Sequence, residues 1–474
     1  MKVLLIQPPR YFSKFGEIGQ KQLSMNTGIA YIASYIRHRG IDVSIYDASV
    51  GEFKTSDLQK VIMEKKPDII GISASTIQIV DANYIADLSK SIDNNIVAVI
   101  GGAHASALPE GTLKEFKAFD YLVEGEGEET FYKLISYLSG NGELDDRGLY
   151  YRENGDIKSG KSRPLIEHLD DIPFPAYDLF LLDNYKPQYS HDRGVALPVF
   201  TTRGCSYDCS FCSGPMGRRV RFRTVKNIIE ELKMDIERYH PSQILIGDDT
   251  FTIRKSFVIE VCEAIIKEGI NKEVEFICET RTDVVDREIL MYMKNAGVRS
   301  VTFGIESGDD EILKKNSKGI TRKDSLNAVN LAREVGLEVD ANFILGLSYE
   351  DKHTIKKTID FACSLPLDYA SFFTLVPYPG TEVAKMAEHN EGGLRLLSKD
   401  WSKYGKQTGG ILELENISYK RLKLYQLYAY IRFYSTPKHF LNAMKRITPI
   451  TILVFLWHIF KHQIFGGLKS HSAD

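Results

Sequence analysis

The chain has 474 residues, more than one hydrophobic core usually serves, so about three domains of ordinary size are expected. Hydrophobic residues make up 43% and charged residues 26%, a balance that excludes disorder and collagenous repeats. A net charge of -3 gives no global basic field, so nucleic acid is not an expected partner.

The amino-terminal run Met1–Pro9 is too short for a signal peptide and reads as a first buried strand. With six cysteines in so long a chain, no disulfide framework is expected, and the chain is placed in a reducing cytoplasm. Short β-branched runs at 2–7, 41–46, 68–73, 96–100 and 120–124 alternate with helical periods at Ile29–Arg39, Leu58–Lys65, Val80–Ile92 and Glu128–Leu138. This predicts a five-stranded, doubly wound, Rossmann-like α/β domain over 1–145. Ligands of such sheets bind beyond the strand carboxyl ends, where Thr27-Gly28, Gly71-Ile72-Ser73, Gly101-Gly102-Ala103-His104 and Glu124-Gly125-Glu126-Gly127 supply small and polar loops.

A polar hairpin around Asn154-Gly155, followed by Pro173, Pro175 and Pro187, predicts a linker over 146–190. Six further strands near 197–203, 243–248, 274–279, 299–305, 338–345 and 369–376, with helices such as Val225–Tyr239 and Asp324–Val335, predict a (β/α)6 partial TIM barrel over 191–385. The alternation then fades into a helical carboxyl-terminal region over 386–474. Its apolar run Ile447–Phe460 is too short to span a bilayer. A helix packed over the barrel mouth is expected there, and the basic flanks and Trp457 also allow peripheral membrane contact and a lipid-like substrate.

Three of the cysteines, Cys205, Cys209 and Cys212, share one loop after a predicted strand, at spacing C-x3-C-x2-C. Iron–sulfur clusters normally take four thiolates, so three on one loop leave one iron of a cubane open to a ligand. Structural zinc wants four closed ligands, and His191 is the only nearby candidate, outside the motif. Cys262, Cys278 and Cys363 are scattered and expected as buried apolar fillers.

This loop, with Phe211 before the third cysteine and a parallel barrel around it, resembles the radical S-adenosylmethionine superfamily. The resemblance implies a [4Fe–4S] cluster held by Cys205, Cys209 and Cys212, and S-adenosylmethionine chelated to the open iron. It also implies an electron donor such as flavodoxin or ferredoxin. Phe211 would lie against the adenine. Gly247-Asp248-Asp249 stands where the family has its second-strand acidic motif near the methionine amino group. Glu279 and Arg281 would approach the carboxylate, while Gly304-Ile305-Glu306-Ser307 resembles the fourth-strand signature near the ribose. Asn342–Leu347 and Pro377–Thr381 match the last two strands.

The front domain resembles the cobalamin-binding domain of cobalamin-dependent radical enzymes. That resemblance assigns Ser73, Ser75, Gly101, Gly102, His104, Glu124 and Gly125 to the cofactor's edge and nucleotide tail. The Asp-x-His-x-x-Gly motif of other cobalamin proteins is missing, the region reading Met25-Asn26-Thr27-Gly28, so cobalt ligation by histidine from that loop is not expected. The function implied is a cobalamin-dependent methyltransferase acting on an unactivated carbon of a small molecule. The same parts would serve a radical cyclase or oxidase. A tRNA methylthiotransferase-like enzyme is opposed by the absence of cysteine before Cys205, and a non-catalytic cobalamin carrier by the intact cysteine motif.

Overall fold

The computed structural model describes residues 1–9, 25–187, 194–214, 216–407 and 410–446. The front domain is a sheet of β1 (Lys2–Gln7), β2 (Asp42–Asp47), β3 (Ile69–Ser73), β4 (Val97–Gly101), β5 (Tyr121–Val123), β6 (Leu149–Glu153) and β7 (Asp156–Ser159), in the order β2-β1-β3-β4-β5-β6-β7. The first five strands run parallel, wrapped by α1 (Thr27–Arg37), α2 (Thr55–Lys65), α3 (Ile79–Ile92), α4 (Ala103–Ala107), α5 (Pro109–Glu115) and α6 (Gly127–Leu138). β1 is an almost unbroken apolar run because helices cover both of its faces. α1 begins where the Asn26 side chain accepts the Ile29 amide at 3.2 Å.

Two expectations about this region change. The sheet has seven strands rather than five, because the hairpin assigned to the linker pairs antiparallel with β5, opposing Tyr121 to Tyr151 with their rings stacked at 6.2 Å. Burial of that edge outweighs the hairpin's polar composition. The segment that follows is not a free linker either. The Ala176 amide donates to the Ala30 carbonyl of α1 at 3.1 Å, the Tyr185 carbonyl accepts from the Ala196 amide at 2.9 Å, and the buried Tyr177 and Tyr185 hydroxyls donate to Pro198 and Asp47.

The second domain begins with β8 (Ala196–Val199), β9 (Thr202–Arg203), β10 (Arg221–Phe222), α7 (Val225–Tyr239), β11 (Gln243–Ile246) and α8 (Lys255–Lys267). It continues through β12 (Glu275–Thr280), α9 (Arg287–Asn295), β13 (Val298–Glu306), α10 (Asp310–Lys315), α11 (Arg322–Glu334), β14 (Glu338–Leu345), α12 (Lys352–Ser364) and β15 (Tyr369–Thr374). Six parallel strands lie in sequential order β8-β11-β12-β13-β14-β15, the expected open (β/α)6 barrel.

After α13 (Glu382–Glu388) the chain makes a small hairpin of β16 (Leu394–Leu396) and β17 (Leu412–Leu414) that was not expected, and then the expected helical region, α14 (Tyr419–Tyr434) and α15 (Pro437–Arg446). Asn390, at φ +56°, ends the helix, the Glu391 amide donating back to the Met386 carbonyl at 2.8 Å, and Gly392 and Gly393, also at positive φ, turn the chain. α14 closes the open edge of the barrel: the Tyr434 and Tyr430 hydroxyls accept the Ala370 and Phe372 amides of β15 at 3.3 and 3.1 Å. Gln426 donates to the Phe372 carbonyl at 2.6 Å. Edge groups that would otherwise template aggregation are thereby satisfied.

One continuous apolar core runs from Leu5 and Ile29 of the front domain into the barrel. No helix among the described residues is long and apolar enough to cross a membrane. The stretch Ile447–Phe460 lies outside the described residues.

Candidate active site

A cavity of about 240 Å³ opens at the carboxyl ends of β3 and β4, beside the β1/β3 switch of strand order. Ser73, Gly101, Gly102 and Gly125 line it from the front domain, and Phe200, Arg203 and Met216 from the barrel. Gly102 sits at φ +93°, and a Cβ there would lie 2.7 Å from the Ala74 carbonyl oxygen and 2.9 Å from Ser73 Oγ, so only glycine fits. A Cβ on Gly101 would meet nothing nearer than the Val123 oxygen at 3.6 Å. The backbone cradle that a Cβ would fill, at a strand switch and with few polar side chains, fits the edge of a large flat cofactor such as cobalamin.

His104 and Glu124, grouped with these residues from sequence, are not in the cavity wall. His104 is buried, edge-on to Trp401 at 4.8 Å between ring centroids, its Nδ1 without a hydrogen bond among the described residues; burial pushes its pKa down to about 4. Glu124 accepts from Ser162 Oγ at 3.1 Å. Ser75 closes the turn at the head of α3. The wall instead takes Glu126 and Glu128, whose carboxylates anchor the barrel. Arg203 donates to both, at 2.9 and 2.8 Å, and Arg221 donates to Glu126 at 2.7 Å. These four side chains are at most 6% exposed. Burial acts to raise the Glu126 pKa, but Arg221, Arg203 and the Ile166 amide outweigh it and hold the carboxyl below its ordinary value.

Two residues beyond Arg203 the cysteine loop begins. Gly204, at φ +96°, allows the chain to pass where a Cβ would lie 2.3 Å from the Arg219 carbonyl oxygen. The Cys205 amide donates to Gly217 O at 3.1 Å and the Cys212 amide to Cys209 O at 3.0 Å. Ser210 is pinned through its amide to Asn316 and through its carbonyl to the Val383 amide, both at 3.1 Å. Cys209 is buried, Cys205 half-buried and Cys212 exposed. Burial pushes the Cys209 thiol up, while the Lys318 and Arg281 cations pull it back; Arg281 Nη1 lies 3.7 Å from its sulfur. The three thiols are not gathered into a ready metal centre, and no described trio of His, Cys, Asp or Glu is. The donor set itself, three thiols on one loop with two cations beside the buried one, fits a thiolate-ligated cluster. Cys262 and Cys278 are buried elsewhere in the core and Cys363 is half-buried.

The strand-end residues divide into two groups. In the first, Asp249 and Glu279 are exposed and Phe211 is half-buried, while Glu306 is buried against Lys318. Asp249 is exposed, with burial of its surroundings raising its pKa against the Arg218 charge and the Gly204 amide. Glu279 is reached by solvent yet ringed by protein, which raises its pKa; Lys406 opposes that and Glu306 adds to it. Glu306 ends β13 at φ +67° and accepts from Lys318 Nζ at 2.9 Å, and Lys318 stands 6.0 Å from the centre of the Phe211 ring.

Asp248, Arg281 and Ser307 are turned to structural tasks. Asp248 is buried, accepts the Thr201 and Thr202 amides at 2.7 and 3.1 Å, and also takes the Thr201 hydroxyl. Burial pushes it up to about 6 despite these bonds. Arg281 is held by Asp283 and the Lys318 carbonyl and stacks on Tyr207 at 3.5 Å. Ser307 is fully buried against Thr358, 3.1 Å away. Sequence reasoning missed Arg203, Arg221, Glu126, Glu128 and Lys318. The glutamates stood inside a quoted motif, but their partners lie 75 or more positions on in the chain.

The description of the radical SAM superfamily matches residues 199–362, and that of the B12 binding domain matches 21–135. An uncharacterized methyltransferase of Pyrococcus horikoshii is 36% identical over 442 residues, covering 92% of this chain and 93% of that one. The chain belongs to the cobalamin-binding radical SAM enzymes. The anaerobic magnesium-protoporphyrin IX monomethyl ester cyclase of Rubrivivax gelatinosus is 29% identical over 418 residues, covering 85% of this radical SAM enzyme and 72% of the cyclase. The cobalamin-dependent S-adenosylmethionine radical enzyme OxsB, solved with aqua-cobalamin and S-adenosylmethionine, shares the fold at TM-score 0.73 and 20% identity, over 98% of this chain and 71% of that one. A [4Fe–4S] cluster, S-adenosylmethionine and cobalamin are the cofactors of such an enzyme.

Proposed function

We propose that this radical SAM enzyme is a cobalamin-dependent methyltransferase acting on an unactivated carbon of a small molecule. The observation that carries the reading is the shared cavity, in which the glycine edge of the front sheet faces the residues immediately preceding the cysteine loop. When bound, the cluster and S-adenosylmethionine supply a carbon radical after one-electron cleavage, and cobalamin supplies a methyl carrier. In this reading Cys205, Cys209 and Cys212 hold the cluster, and Asp249, Glu306 and Phe211 border the S-adenosylmethionine, with Glu279 beside them. Asp248 acts one step back, fixing Thr201 and Thr202 and so the loop that carries Cys205. Ser73, Gly101, Gly102 and Gly125 receive cobalamin. The domains run over about 1–160 and 194–385, the intervening segment being a shared brace. An electron donor of the flavodoxin or ferredoxin class would reduce the cluster.

The test is anaerobic reconstitution followed by turnover with methyl-labelled S-adenosylmethionine. Four irons per chain, lost in Cys205→Ala, Cys209→Ala or Cys212→Ala, and one labelled product for each 5′-deoxyadenosine and each S-adenosylhomocysteine are expected. Retained zinc in place of iron would overturn the cluster assignment. The cyclase relative at 29% identity favours a second reading, ring closure or oxidation with the same parts; an unlabelled product that has only lost hydrogen would establish it instead.

A further inference from the structure

At the mouth of the barrel, beyond the residues assigned above, lies a cation that pairs with no carboxylate among the described residues. Lys406 belongs to the short stretch between β16 and β17, and its backbone is fixed at both ends. Its carbonyl accepts the Thr374 amide at 3.2 Å and the Thr374 hydroxyl at 3.1 Å, at the carboxyl end of β15. Next to it, Gln407 is tied to α14 through Gln426 at 3.2 Å and Tyr430 at 3.3 Å. Five residues earlier, Trp401 is latched to the front domain, its indole N–H shared between both Glu115 carboxylate oxygens at 3.0 Å and its ring against His104. The ammonium is therefore carried on a braced segment, and it projects 5.6 Å from the centre of the Phe373 ring.

Two cations of the site described above are engaged: Lys318 with Glu306 at 2.9 Å and Arg281 with Asp283 at 2.9 Å. Among the described residues the Lys406 ammonium makes no hydrogen bond and no ion pair. Glu279 faces it closely enough to feel its charge but does not close a salt bridge. An ammonium held over an aromatic face, at the carboxyl ends of the barrel strands where ligands bind, is equipped to take an anion whose body lies flat on the ring.

We propose that Lys406 is a substrate-positioning residue that receives an anionic group, carboxylate or phosphate, of a substrate whose apolar face rests on Phe373. The proposal rests on the reading of the barrel mouth as the substrate side of a radical SAM site. It is tested by equilibrium binding, which requires no turnover: 1-naphthoate, 1-naphthyl phosphate and neutral 1-naphthol are titrated into the reconstituted full-length holoenzyme.

The anionic probes are expected to bind at least about tenfold more tightly than 1-naphthol, as one charge-assisted contact implies. Preference between the two anions tells carboxylate from phosphate. Lys406→Met should erase the difference, Lys406→Arg should keep most of it, and both should leave iron content, retained cobalamin and S-adenosylmethionine affinity unchanged. Equal binding of charged and neutral probes, no binding of any, or a Lys406→Met that weakens S-adenosylmethionine instead would overturn the assignment. Loss of iron or cobalamin from the wild-type protein would point to failure of the underlying reading, not of this one.

Discussion

The junction between the domains makes the sharpest quantitative demand on the sequence. Glu126 accepts three hydrogen bonds, from Arg203, Arg221 and the Ile166 amide, at 2.9, 2.7 and 2.8 Å. Glu126→Gln keeps the shape and removes the charge. Breaking a buried pair by neutralising one partner costs about 3–5 kcal/mol. Because Arg203 keeps Glu128 and Arg221 keeps the Ile166 and Met216 carbonyls, the lower end, about 3 kcal/mol, is expected.

Urea unfolding of the apo protein at neutral pH measures it, and a cycle with Arg221→Met isolates the pair, for which a coupling above about 1 kcal/mol is expected. The pH dependence follows from the depressed Glu126 pKa. A carboxyl lower in the native state than in the unfolded chain stabilises above its ordinary value of 4.5 and loses that contribution as pH falls through the native value. The gap between wild type and Glu126→Gln should therefore be full at neutral pH and shrink in acid. A variant as stable as wild type at pH 7, or a gap that does not narrow below the ordinary carboxylate range, would refute the reasoning.

Three further outcomes are expected. Gly102→Ala should lose retained hydroxocobalamin, read from its visible spectrum, and destabilise the protein by about 2–4 kcal/mol through strain and overlap, whereas Gly101→Ala should retain the cofactor. Asp235, buried beside Glu231 with neither oxygen hydrogen-bonded among the described residues, has its pKa pushed from 3.8 up to about 9 by burial and by Glu231. The native state thus holds a proton that the unfolded chain releases, so stability falls as pH rises from about 4 to 9; Asp235→Asn should flatten that slope in urea titrations at pH 6, 7 and 8. Tyr434→Phe should expose the Ala370 amide at the barrel edge and speed its hydrogen exchange selectively, at a cost of about 1–3 kcal/mol.

The cysteine loop and both sheets were legible because each rests on local signals: thiol spacing, alternating periods, and glycines at strand ends. Gly102 is a case in which a glycine at a strand end announces a backbone task. The hairpin at 149–159 was misread as linker because its polar faces carry no sign that β5 offers it an edge. Asp248 and Ser307 were named from motif position, but the direction of a side chain is set by neighbours in other strands, Thr201 for one and Thr358 for the other. His104 stood in a convincing glycine loop, yet the residue that buries it is Trp401, 297 positions away along the chain. Long-range partners of this kind leave no local pattern.

The two halves of the site are joined by the chain itself. Arg203 lines the cavity at the front sheet, and Cys205 follows two residues later, so their Cα atoms are at most about 7 Å apart. Gly204 between them is closely packed, the Arg219 carbonyl filling the space a Cβ would take. Arg203 in turn is held by Glu126 and Glu128, which open α6 and border the Gly125 edge of the same cavity. That loop of the front domain is thereby tied through Arg203 to the start of the cysteine loop, two residues on. Asp248 fixes the chain on the near side of Arg203 by gripping the Thr201 and Thr202 amides. The apolar core continuous across the domains opposes hinge motion at the same junction. Buried ion pairs give little net stability but are strict about geometry, and here the geometry they fix is the distance between the glycine edge and the cysteine loop. That places specificity of arrangement, more than stability, as the physical reason for burying four charges at the centre of this enzyme.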